Sequence, residues 1–356
     1  MNNGNIVNDF RIKQSLETIQ KLLTNKNKII ITSHLGRPTE GVYEESLSLK
    51  PICKYLSALL ERDIKFFNSY RDNMNFEDYE IAMLENVRFN TGEKSSNSDL
   101  SKAYASLADY FVFDAFGVAH RKESSTFGVS EYLKTYPGLN ISNEIHTINQ
   151  LINEDSRPMT IIISGAKVST KLIVIQKLLA KCDFMILGGG ILNTFLKAKG
   201  NEIGNSLYEE DLVNEAKNIL SSDFSSKIIF PIDLSCESES KPKNIDVSNI
   251  SNNDIIFDVG EKSLEHIKSI INKSAAIFWN GPLGYVEKEP FDRGTIELAK
   301  IIAEHNCFSI IGGGDTLPII ENLNLQSQFS CLSTGGGSLL TYLEGGDLPI
   351  LDKLDL

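Results

Sequence analysis

The stretch Thr160-Ile-Ile-Ile-Ser-Gly-Ala-Lys-Val-Ser-Thr-Lys171 runs directly into the segment Leu172–Ala180, and together they indicate the fold class. A short β-branched run, a polar loop containing glycine and a segment of helical periodicity make up one strand–loop–helix unit. The run Thr160–Ile163 is almost wholly apolar and does not alternate, which is typical of a strand buried on both faces of a parallel sheet. The stretch therefore predicts an α/β fold.

The same alternation continues in both directions along the chain. Besides Thr160–Ile163, the predicted strands are Lys28–Thr32, Ile64–Phe67, Ile81–Leu84, Tyr110–Phe113, Phe184–Leu187, Lys227–Ile232, Ala276–Trp279 and Phe308–Ile311. Besides Leu172–Ala180, the predicted helices are Ile12–Leu23, Leu47–Leu60, Glu210–Leu220 and Thr295–Glu304. Continuous apolar strands separated by helices form parallel sheets that helices cover on both faces. We therefore predict two doubly wound, Rossmann-like domains.

A chain of 356 residues is too long for one ordinary hydrophobic core, so two domains are expected. The helical pattern Glu144–Ile152 is broken at Asn153–Pro158, just before a new strand. We therefore predict an N-terminal domain over residues 1–153 and a C-terminal domain over residues 158–342, joined by a helix and a hinge.

Charge and composition exclude several function classes. The net charge is −12 and no basic tract stands out, so neither a nucleic acid nor a membrane is expected as a partner. The first residues carry no signal-peptide pattern, and no apolar run approaches the ~20 residues of a membrane span. The five cysteines are scattered without metal-ligand spacing, which predicts reduced thiols in a cytoplasmic protein and no structural metal.

Glycine triplets follow three predicted strands or turns of the second half: Gly188–Gly190, Gly312–Gly314 and Gly335–Gly337. Ligands of open α/β sheets bind beyond the carboxyl ends of the strands. Glycine lets backbone N–H groups approach an anion closely. One such triplet is explained by a tight strand-to-helix turn, whereas three in one domain favour phosphate binding.

Two lysines lie beside the first of these turns. Lys167 and Lys171 are four residues apart, so we expect them on one face of the first turn of a helix, where they repel each other and the helix dipole. A bound polyphosphate would neutralise that repulsion, although two solvated lysines remain the alternative. The Walker A spacing is absent.

Asp315 follows the second glycine triplet and suggests a cation. A carboxylate next to bound phosphate is repulsive unless a cation bridges them, which points to Mg²⁺ carried by a nucleotide. Asp315 is alternatively the N-cap of a helix that begins near Leu317, and the two roles are compatible. The turn Trp279-Asn-Gly-Pro-Leu-Gly284, with Glu287 beyond it, is a candidate for base or ribose binding.

Basic side chains in the first half fall at strand ends or helix starts. A basic cluster on an acidic protein points to a small, multiply anionic ligand, whereas scattered salt bridges would explain only one or two of these residues. One domain for this ligand and one for a nucleotide imply a hinge that closes and excludes water. The candidates are Arg11, His34, Arg37, Arg88, His120 and Arg121.

At these motifs the sequence resembles the phosphoglycerate kinase family along nearly its whole length. Any one motif is weak, but seven in order and in register are specific. They are Ser33-His-Leu-Gly-Arg-Pro38, Leu84-Glu-Asn-Val-Arg-Phe89, Asp114-Ala-Phe-Gly-Val-Ala-His-Arg121, Gly165-Ala-Lys-Val168, Trp279-Asn-Gly-Pro282, Gly312-Gly-Gly-Asp-Thr316 and Ser333-Thr-Gly-Gly-Gly337.

The resemblance implies a monomer that transfers a phosphoryl group reversibly between 1,3-bisphosphoglycerate/ADP and 3-phosphoglycerate/ATP, with Mg²⁺. It implies 3-phosphoglycerate on the N-terminal domain, bound by Arg11, His34, Arg37, Arg88 and Arg121. It implies ATP or ADP on the C-terminal domain, at Lys167, Lys171, Gly190, Asn280, Pro282, Glu287, Gly314, Asp315 and Thr316. It implies that Arg11, Lys167, Lys171, Gly336 and Gly337 act on the transferring group, and that residues 343–356 fold back onto the N-terminal domain.

The sequence departs from the family pattern at its beginning and at two side chains. The family's first strand, with an Asp and an Asn that contact the sugar acid, has no match, while Thr170 and Glu123 stand where Asp and a second His are usual. We expect an open slot beside Lys28–Thr32, low stability of the N-terminal domain alone, and ~20–30 further residues encoded upstream. A misassigned start codon and a real loss both remain open.

Two other functions compete with this one. A non-catalytic nucleotide-binding paralogue is the main alternative, favoured by the missing strand and opposed by the retained arginines and lysines. A nucleotide-binding dehydrogenase is weaker, because it requires a Gly-x-Gly-x-x-Gly motif after the first strand.

Overall fold

The computed structural model describes residue 6, residues 8–152 and residues 157–354, which form two compact units. The first unit contains the described residues up to Asn143 together with those from Asp347 onward. The second unit runs from Glu144 to Gly346. Of the predicted boundary Asn153–Pro158, residues 153–156 lie outside the described residues. No helix in the described ranges is long and apolar enough to cross a membrane.

The α-helices and β-strands are numbered in chain order. The helices are α1 (Phe10–Thr24), α2 (Lys50–Leu60), α3 (Ser98–Ala105), α4 (Leu139–Ile152), α5 (Leu172–Lys181), α6 (Gly189–Lys199), α7 (Val213–Leu220), α8 (Glu261–Ile271), α9 (Arg293–His305), α10 (Leu317–Asn322) and α11 (Gly337–Leu343). The strands are β1 (Ile29–Ile31), β2 (Ile64–Phe67), β3 (Ile81–Leu84), β4 (Tyr110–Phe113), β5 (Lys134–Pro137), β6 (Met159–Ser164), β7 (Phe184–Gly188), β8 (Ile228–Ile229), β9 (Asp233–Ser238), β10 (Lys241–Asp246), β11 (Ile255–Val259), β12 (Ala276–Asn280), β13 (Phe308–Gly312) and β14 (Cys331–Leu332).

The surroundings of strand β3 show that helices cover both faces of its sheet. All four of its residues are buried, and alternate residues of a strand point to opposite faces of a sheet. Ile81 packs with residues of α1 and α2, whereas Ala82 and Leu84 pack with residues of α3. The predicted doubly wound arrangement of this unit is therefore confirmed by its core.

The strands of the first unit form two separate parallel sheets. One sheet has the order β1-β3-β2 and the other pairs β4 with β5. Within the described ranges β1 pairs with β3 alone, so its other side is a sheet edge. The open position expected beside Lys28–Thr32 agrees with that edge.

The second unit contains a six-stranded parallel sheet with the order β14-β13-β12-β6-β7-β8. Every residue of β6 and β12 is buried, as the continuous apolar runs predict. Gly188 ends β7 and Gly312 ends β13, so the first two glycine triplets begin at the carboxyl edge of this sheet. The third triplet follows β14 at the same edge.

Besides the predicted parallel sheet, the second unit contains an antiparallel one. Strands β9, β10 and β11 form an antiparallel sheet, and the predicted strand Lys227–Ile232 shrinks to Ile228–Ile229. β10 is largely polar and exposed, so it lacks the apolar run that identifies a strand. Its hairpin turn places Glu239 and Ser240 at φ 50° and 60°, positions where the sequence shows no Asn-Gly signal.

Candidate active site

Three loops of the first unit meet beyond the carboxyl ends of β1, β3 and β4. The guanidinium of Arg88 donates from Nη1 to the carbonyl oxygen of Gly36 at 2.8 Å and from Nη2 to Glu123 Oε1 at 3.0 Å. Arg121 Nη1 lies 3.5 Å from the same Glu123 oxygen. Glu123 therefore joins two of the predicted arginines, and Arg88 ties them to the loop that carries His34 and Arg37.

Electrostatics link His34 to this cluster. Burial, together with the positive charges of Arg88, Arg121 and Arg11, lowers the pKa of His34 to about 4, although Glu123 opposes the shift. His34 is therefore neutral near pH 7, and the positive charge of the cluster comes from its arginines.

The arginines of the first unit differ in exposure. Arg11, in the first turn of α1, and Arg37 are exposed, and Arg121 is partly exposed. Arg88 is only 4% exposed. No hydrogen bond or ion pair within the described ranges joins Arg37 to the cluster. The structure thus brings together His34, Arg88 and Arg121, with Arg11 near enough to act on His34.

A buried turn fixes the position of Arg88. Asn86 donates to the carbonyl oxygens of Leu35 and Leu47 at 2.8 and 3.0 Å, and its Oδ1 accepts from the backbone N–H of Arg88 at 3.1 Å. This network explains why the Asn and Arg of Leu84-Glu-Asn-Val-Arg-Phe89 occur together. Breaking this network would be costly, because the side chains of Asn86 and Arg88 are buried.

In the second unit, Lys171 lies at the carboxyl end of β6. Its Nζ donates to the carbonyl oxygen of Ser164 at 2.5 Å and to Asn280 Oδ1 at 2.7 Å. Burial lowers the pKa of Lys171 to about 8, although the charge of Asp315 opposes the shift. An ammonium group has three protons, and these two acceptors leave one for a ligand.

The expectation that Lys167 and Lys171 share the first turn of a helix is wrong. Helix α5 begins at Leu172, so Lys171 is its N-cap residue and Lys167 lies in the preceding loop, exposed. Glu209 fixes this loop, since its carboxylate accepts from the backbone N–H and the hydroxyl of Ser169 at 2.8 and 2.6 Å. The two lysines therefore differ in environment, one exposed and one largely buried.

The glycine triplets serve two different purposes. A Cβ on Gly190 would lie 2.3 Å from the carbonyl oxygen of Ala166, so this glycine allows the loop before α5 to pack against α6. Gly314, Gly336 and Gly337 face open space instead, with no atom of the described structure within 4 Å of a Cβ built there. Packing explains Gly190 and also Gly312, where a Cβ would lie 2.7 Å from Leu339 Cδ2, while the open backbone at Gly314, Gly336 and Gly337 leaves room for a ligand.

The other predicted nucleotide residues surround Lys171 to different degrees. Asn280 is buried at the end of β12, and the carbonyl oxygen of Pro282 accepts from the Ser164 hydroxyl. Thr316 is fully buried, and its Oγ1 has no hydrogen-bond partner in the described structure. Asp315 and Glu287 are exposed, and no hydrogen bond or ion pair in the described ranges joins Glu287 to the others.

The structure adds one residue that sequence reasoning missed. Glu144 on α4 is 3% exposed, and its carboxylate accepts from the Ser333 hydroxyl at 2.5 Å and from the backbone N–H of Thr334 at 3.1 Å. It therefore fixes the residues that lead into Gly335–Gly337. Ser333 follows Glu144 by 189 residues along the chain, and no local sequence pattern indicates a contact over that separation.

Comparison with known proteins agrees with the motifs. The family model described as phosphoglycerate kinase matches residues 1–346. A phosphoglycerate kinase of Francisella philomiragia is 41% identical over 99% of this chain and 91% of its own length. One of Francisella tularensis subsp. novicida is 42% identical with the same coverage.

A solved structure is also similar to that of this chain. The structure of phosphoglycerate kinase from Coxiella burnetii superposes with a TM-score of 0.87 at 38% identity, covering 99% of this chain and 92% of that chain.

Proposed function

Because the chain belongs to the phosphoglycerate kinase family, we propose that it transfers a phosphoryl group reversibly between 1,3-bisphosphoglycerate with ADP and 3-phosphoglycerate with ATP. The observation that carries the proposal is the charge cluster of the first unit. There His34, Arg88 and Arg121 gather beyond the carboxyl ends of parallel strands, where α/β sheets bind their ligands. The alternative of a non-catalytic paralogue is not favoured by the comparisons.

We assign 3-phosphoglycerate to the N-terminal domain, residues 1–153 with 343–356. The guanidinium groups of Arg11, Arg37, Arg88 and Arg121 would bind its phosphate and carboxylate, since the planar fork of arginine matches both anions. Arg11 and Arg37 are exposed, Arg121 is partly exposed and Arg88 is buried. Neutral His34 would contribute a hydrogen bond without adding charge.

We assign ATP or ADP to the C-terminal domain, residues 158–342. The remaining ammonium proton of Lys171 would reach a phosphate oxygen, and the open backbone at Gly314 leaves room for the phosphates. The unpartnered hydroxyl of Thr316 is a further donor at this edge. The other residues proposed to contact nucleotide are Lys167, Gly190, Asn280, Pro282, Glu287 and Asp315.

The donor set near Asp315 fits a magnesium ion that arrives with the nucleotide. In the described ranges no three His, Cys, Asp or Glu side chains gather as a metal site. Mg²⁺ commonly takes one or two carboxylates and completes its shell with phosphate oxygens and water. Asp315 would be its protein ligand, and the ion would neutralise charge on the transferring group.

Catalysis by these residues is charge stabilisation and positioning. The acceptor is already a carboxylate, so no strong base is needed. Arg11, Lys167 and Lys171 would stabilise the charge on the transferring phosphoryl oxygens, and the backbone N–H groups of Gly336 and Gly337 would donate to them. Glu144 positions the segment before these glycines.

We further propose that the enzyme acts in the cytoplasm as a monomer. The five cysteines form no disulfide in the described structure, and Cys53, Cys182 and Cys236 are buried, which fits a reducing compartment. Sedimentation analysis of the purified chain would test the oligomeric state.

Activity of the purified chain tests the proposal. We expect ADP to form from ATP and 3-phosphoglycerate, measured by coupling the 1,3-bisphosphoglycerate product to its reduction with NADH. Glycerate without phosphate is the matched control and should not be turned over. Nucleotide binding without any turnover of 3-phosphoglycerate would favour the non-catalytic paralogue.

A further inference from the structure

Glu123 is a buried carboxylate at the arginine cluster for which the proposed reaction assigns no role. Its side chain is 7% exposed and lies 3.0 Å from Arg88 Nη2 and 3.5 Å from Arg121 Nη1. A protein carboxylate therefore occupies the two arginines that the proposed function gives to an anionic substrate.

The backbone around Glu123 fixes this contact. The carbonyl oxygen of Glu123 accepts from the N–H groups of Thr126 and Gly128 at 3.2 and 3.0 Å. The next residue, Ser124, donates its N–H to the carbonyl oxygen of Glu93 at 2.8 Å. The peptide group between Glu123 and Ser124 is therefore hydrogen-bonded at both its C=O and its N–H, which fixes the backbone that carries the carboxylate.

The arginines, by contrast, have unused hydrogen-bonding capacity. Arg88 Nε is buried without a hydrogen-bond partner in the described structure. Arg121 is 36% exposed, and its Nε donates to His120 Nε2 at 3.1 Å. An anion that reaches this cluster therefore finds donors, but it also meets the negative charge of Glu123.

We propose that Glu123 is a positioning and affinity-setting residue, an internal counter-ion that holds Arg88 and Arg121 in place and weakens the binding of the anionic substrate. The inference rests on the proposed function, because it concerns the affinity for 3-phosphoglycerate. Two like charges near one pair of guanidinium groups repel each other in a partly buried site. Removing the carboxylate should therefore destabilise the free protein and favour the complex, since a buried arginine without its partner gains more from a bound anion.

The test compares Glu123→Gln with the wild-type chain by calorimetric titration of 3-phosphoglycerate and by thermal unfolding. We expect the Kd for 3-phosphoglycerate to fall about 10-fold, because one repulsive charge is lost while an amide oxygen still accepts from Arg88. The free variant should melt at a lower temperature than the wild type, and saturating 3-phosphoglycerate should raise its Tm by a larger increment. The Kd for ATP should not change.

Asp233→Asn is the matched control. Asp233 is a buried carboxylate of the second unit, 3% exposed, which accepts from the N–H and hydroxyl of Ser263 and from the backbone N–H of Lys262, not from an arginine. It should lower Tm without changing the Kd for 3-phosphoglycerate. If Glu123→Gln does not fold, Glu123→Asp withdraws the carboxylate by one methylene and should tighten binding about 2- to 3-fold.

The outcomes separate this inference from the proposed function. An unchanged or raised Kd for 3-phosphoglycerate in Glu123→Gln, with a lowered Tm, would show a structural role alone and overturn the inference. Failure of the wild-type chain to bind 3-phosphoglycerate at all would contradict the proposed function, and the inference would fall with it.

Discussion

Each unit places a buried or half-buried basic side chain beyond the carboxyl ends of parallel strands, but the two units surround it differently. In the first unit Arg88 contacts the carboxylate of Glu123 and the carbonyl oxygen of Gly36. In the part of the second unit that the structure describes, the hydrogen bonds of Lys171 go to uncharged oxygens, those of Ser164 and Asn280. Arg88 thus forms an ion pair with a carboxylate, whereas Lys171 forms none among the described residues.

The pKa of Lys171 shows the effect of this difference. With no carboxylate in contact, burial lowers the pKa of Lys171 to about 8, and Asp315 offsets only part of the shift. An anionic ligand would stabilise the protonated form of Lys171 and so raise its pKa again. We therefore propose that the second unit leaves its cation for a ligand, whereas the first unit pairs Arg88 with a carboxylate of the protein.

The largest expected effect is that of Lys167→Ala. We expect kcat to fall about 100-fold while the Kd for ATP rises less than 10-fold, because the charge is required in the transition state. Steady-state kinetics and nucleotide titration measure the two quantities. Lys300→Ala, which removes an exposed lysine paired with Glu297 on α9, is the control. A kcat of the variant within a few-fold of the wild-type value would show that Lys167 is not a catalytic residue.

The second prediction tests whether the two units bind different ligands. Arg37→Ala and Arg121→Ala should each raise the KM for 3-phosphoglycerate about 10- to 100-fold, since a charge-assisted hydrogen bond contributes about 1.5–3 kcal/mol. The KM for ATP should stay within about 2-fold of wild type. Arg62→Ala, at an exposed pair with Glu80, should change neither. Equal effects on both substrates would contradict the assignment of one ligand to each unit.

The third prediction concerns the segment before the last glycine triplet. Glu144→Gln replaces an acceptor oxygen with a donor in front of Ser333 or Thr334 and should destabilise the second unit by about 1–3 kcal/mol. It should also lower kcat more than it raises either KM, because Gly336 and Gly337 lose their fixed position. Unchanged kcat with a lowered Tm would limit Glu144 to a structural role. Denaturant unfolding and steady-state kinetics measure both effects.

The smallest effect is a pH dependence in the first unit. Burial raises the pKa of Glu93 from 4.5 to about 7, with Glu123 adding to the shift while hydrogen bonds from Ser125 and the charge of Arg88 oppose it. Because the folded pKa lies above the unfolded value, the folded state binds more protons between about pH 4.5 and pH 7. The stability contributed by protonated Glu93 is therefore lost as the pH rises through this window.

Glu93→Gln removes that titration. The Tm of the variant relative to wild type should be higher at pH 8 than at pH 5, measured by thermal unfolding in matched buffers. Glu304→Gln, at an exposed position of α9, should show the same Tm difference at both values. A difference that does not change with pH would mean that Glu93 is not the group that titrates in this window.

The sequence was most informative where local pattern and burial agree. β2, β3 and β4 have the predicted bounds, because each is a short apolar or aromatic run between turns. β5 was missed, since Lys134-Thr-Tyr-Pro137 begins with a charge and ends with proline, which is depleted in strands. The exposed β10 was missed for a similar reason.

The candidate site was less predictable than the fold. Motifs identified the arginines and lysines as residue types, but not which of them are buried or what compensates their charge. The pairing of Arg88 with Glu123 and of Glu144 with Ser333 depends on loops that meet only in the folded chain. The helix begins only at Leu172, after a loop whose Ser169 is hydrogen-bonded to the distant Glu209, so the spacing of Lys167 and Lys171 does not reveal their environment.

The return of the chain to the first unit at Asp347 has a consequence for biosynthesis. Leu348, Ile350 and Leu354 are buried, so the packing of this unit includes side chains made after the whole of the second unit. The second unit, by contrast, is one uninterrupted segment from Glu144 to Gly346. On the ribosome, domains generally fold as units as they emerge. Here the unit that is translated first completes its core last, so we expect nascent chains stalled before Asp347 to hold a protease-resistant second unit while the first is still cleaved.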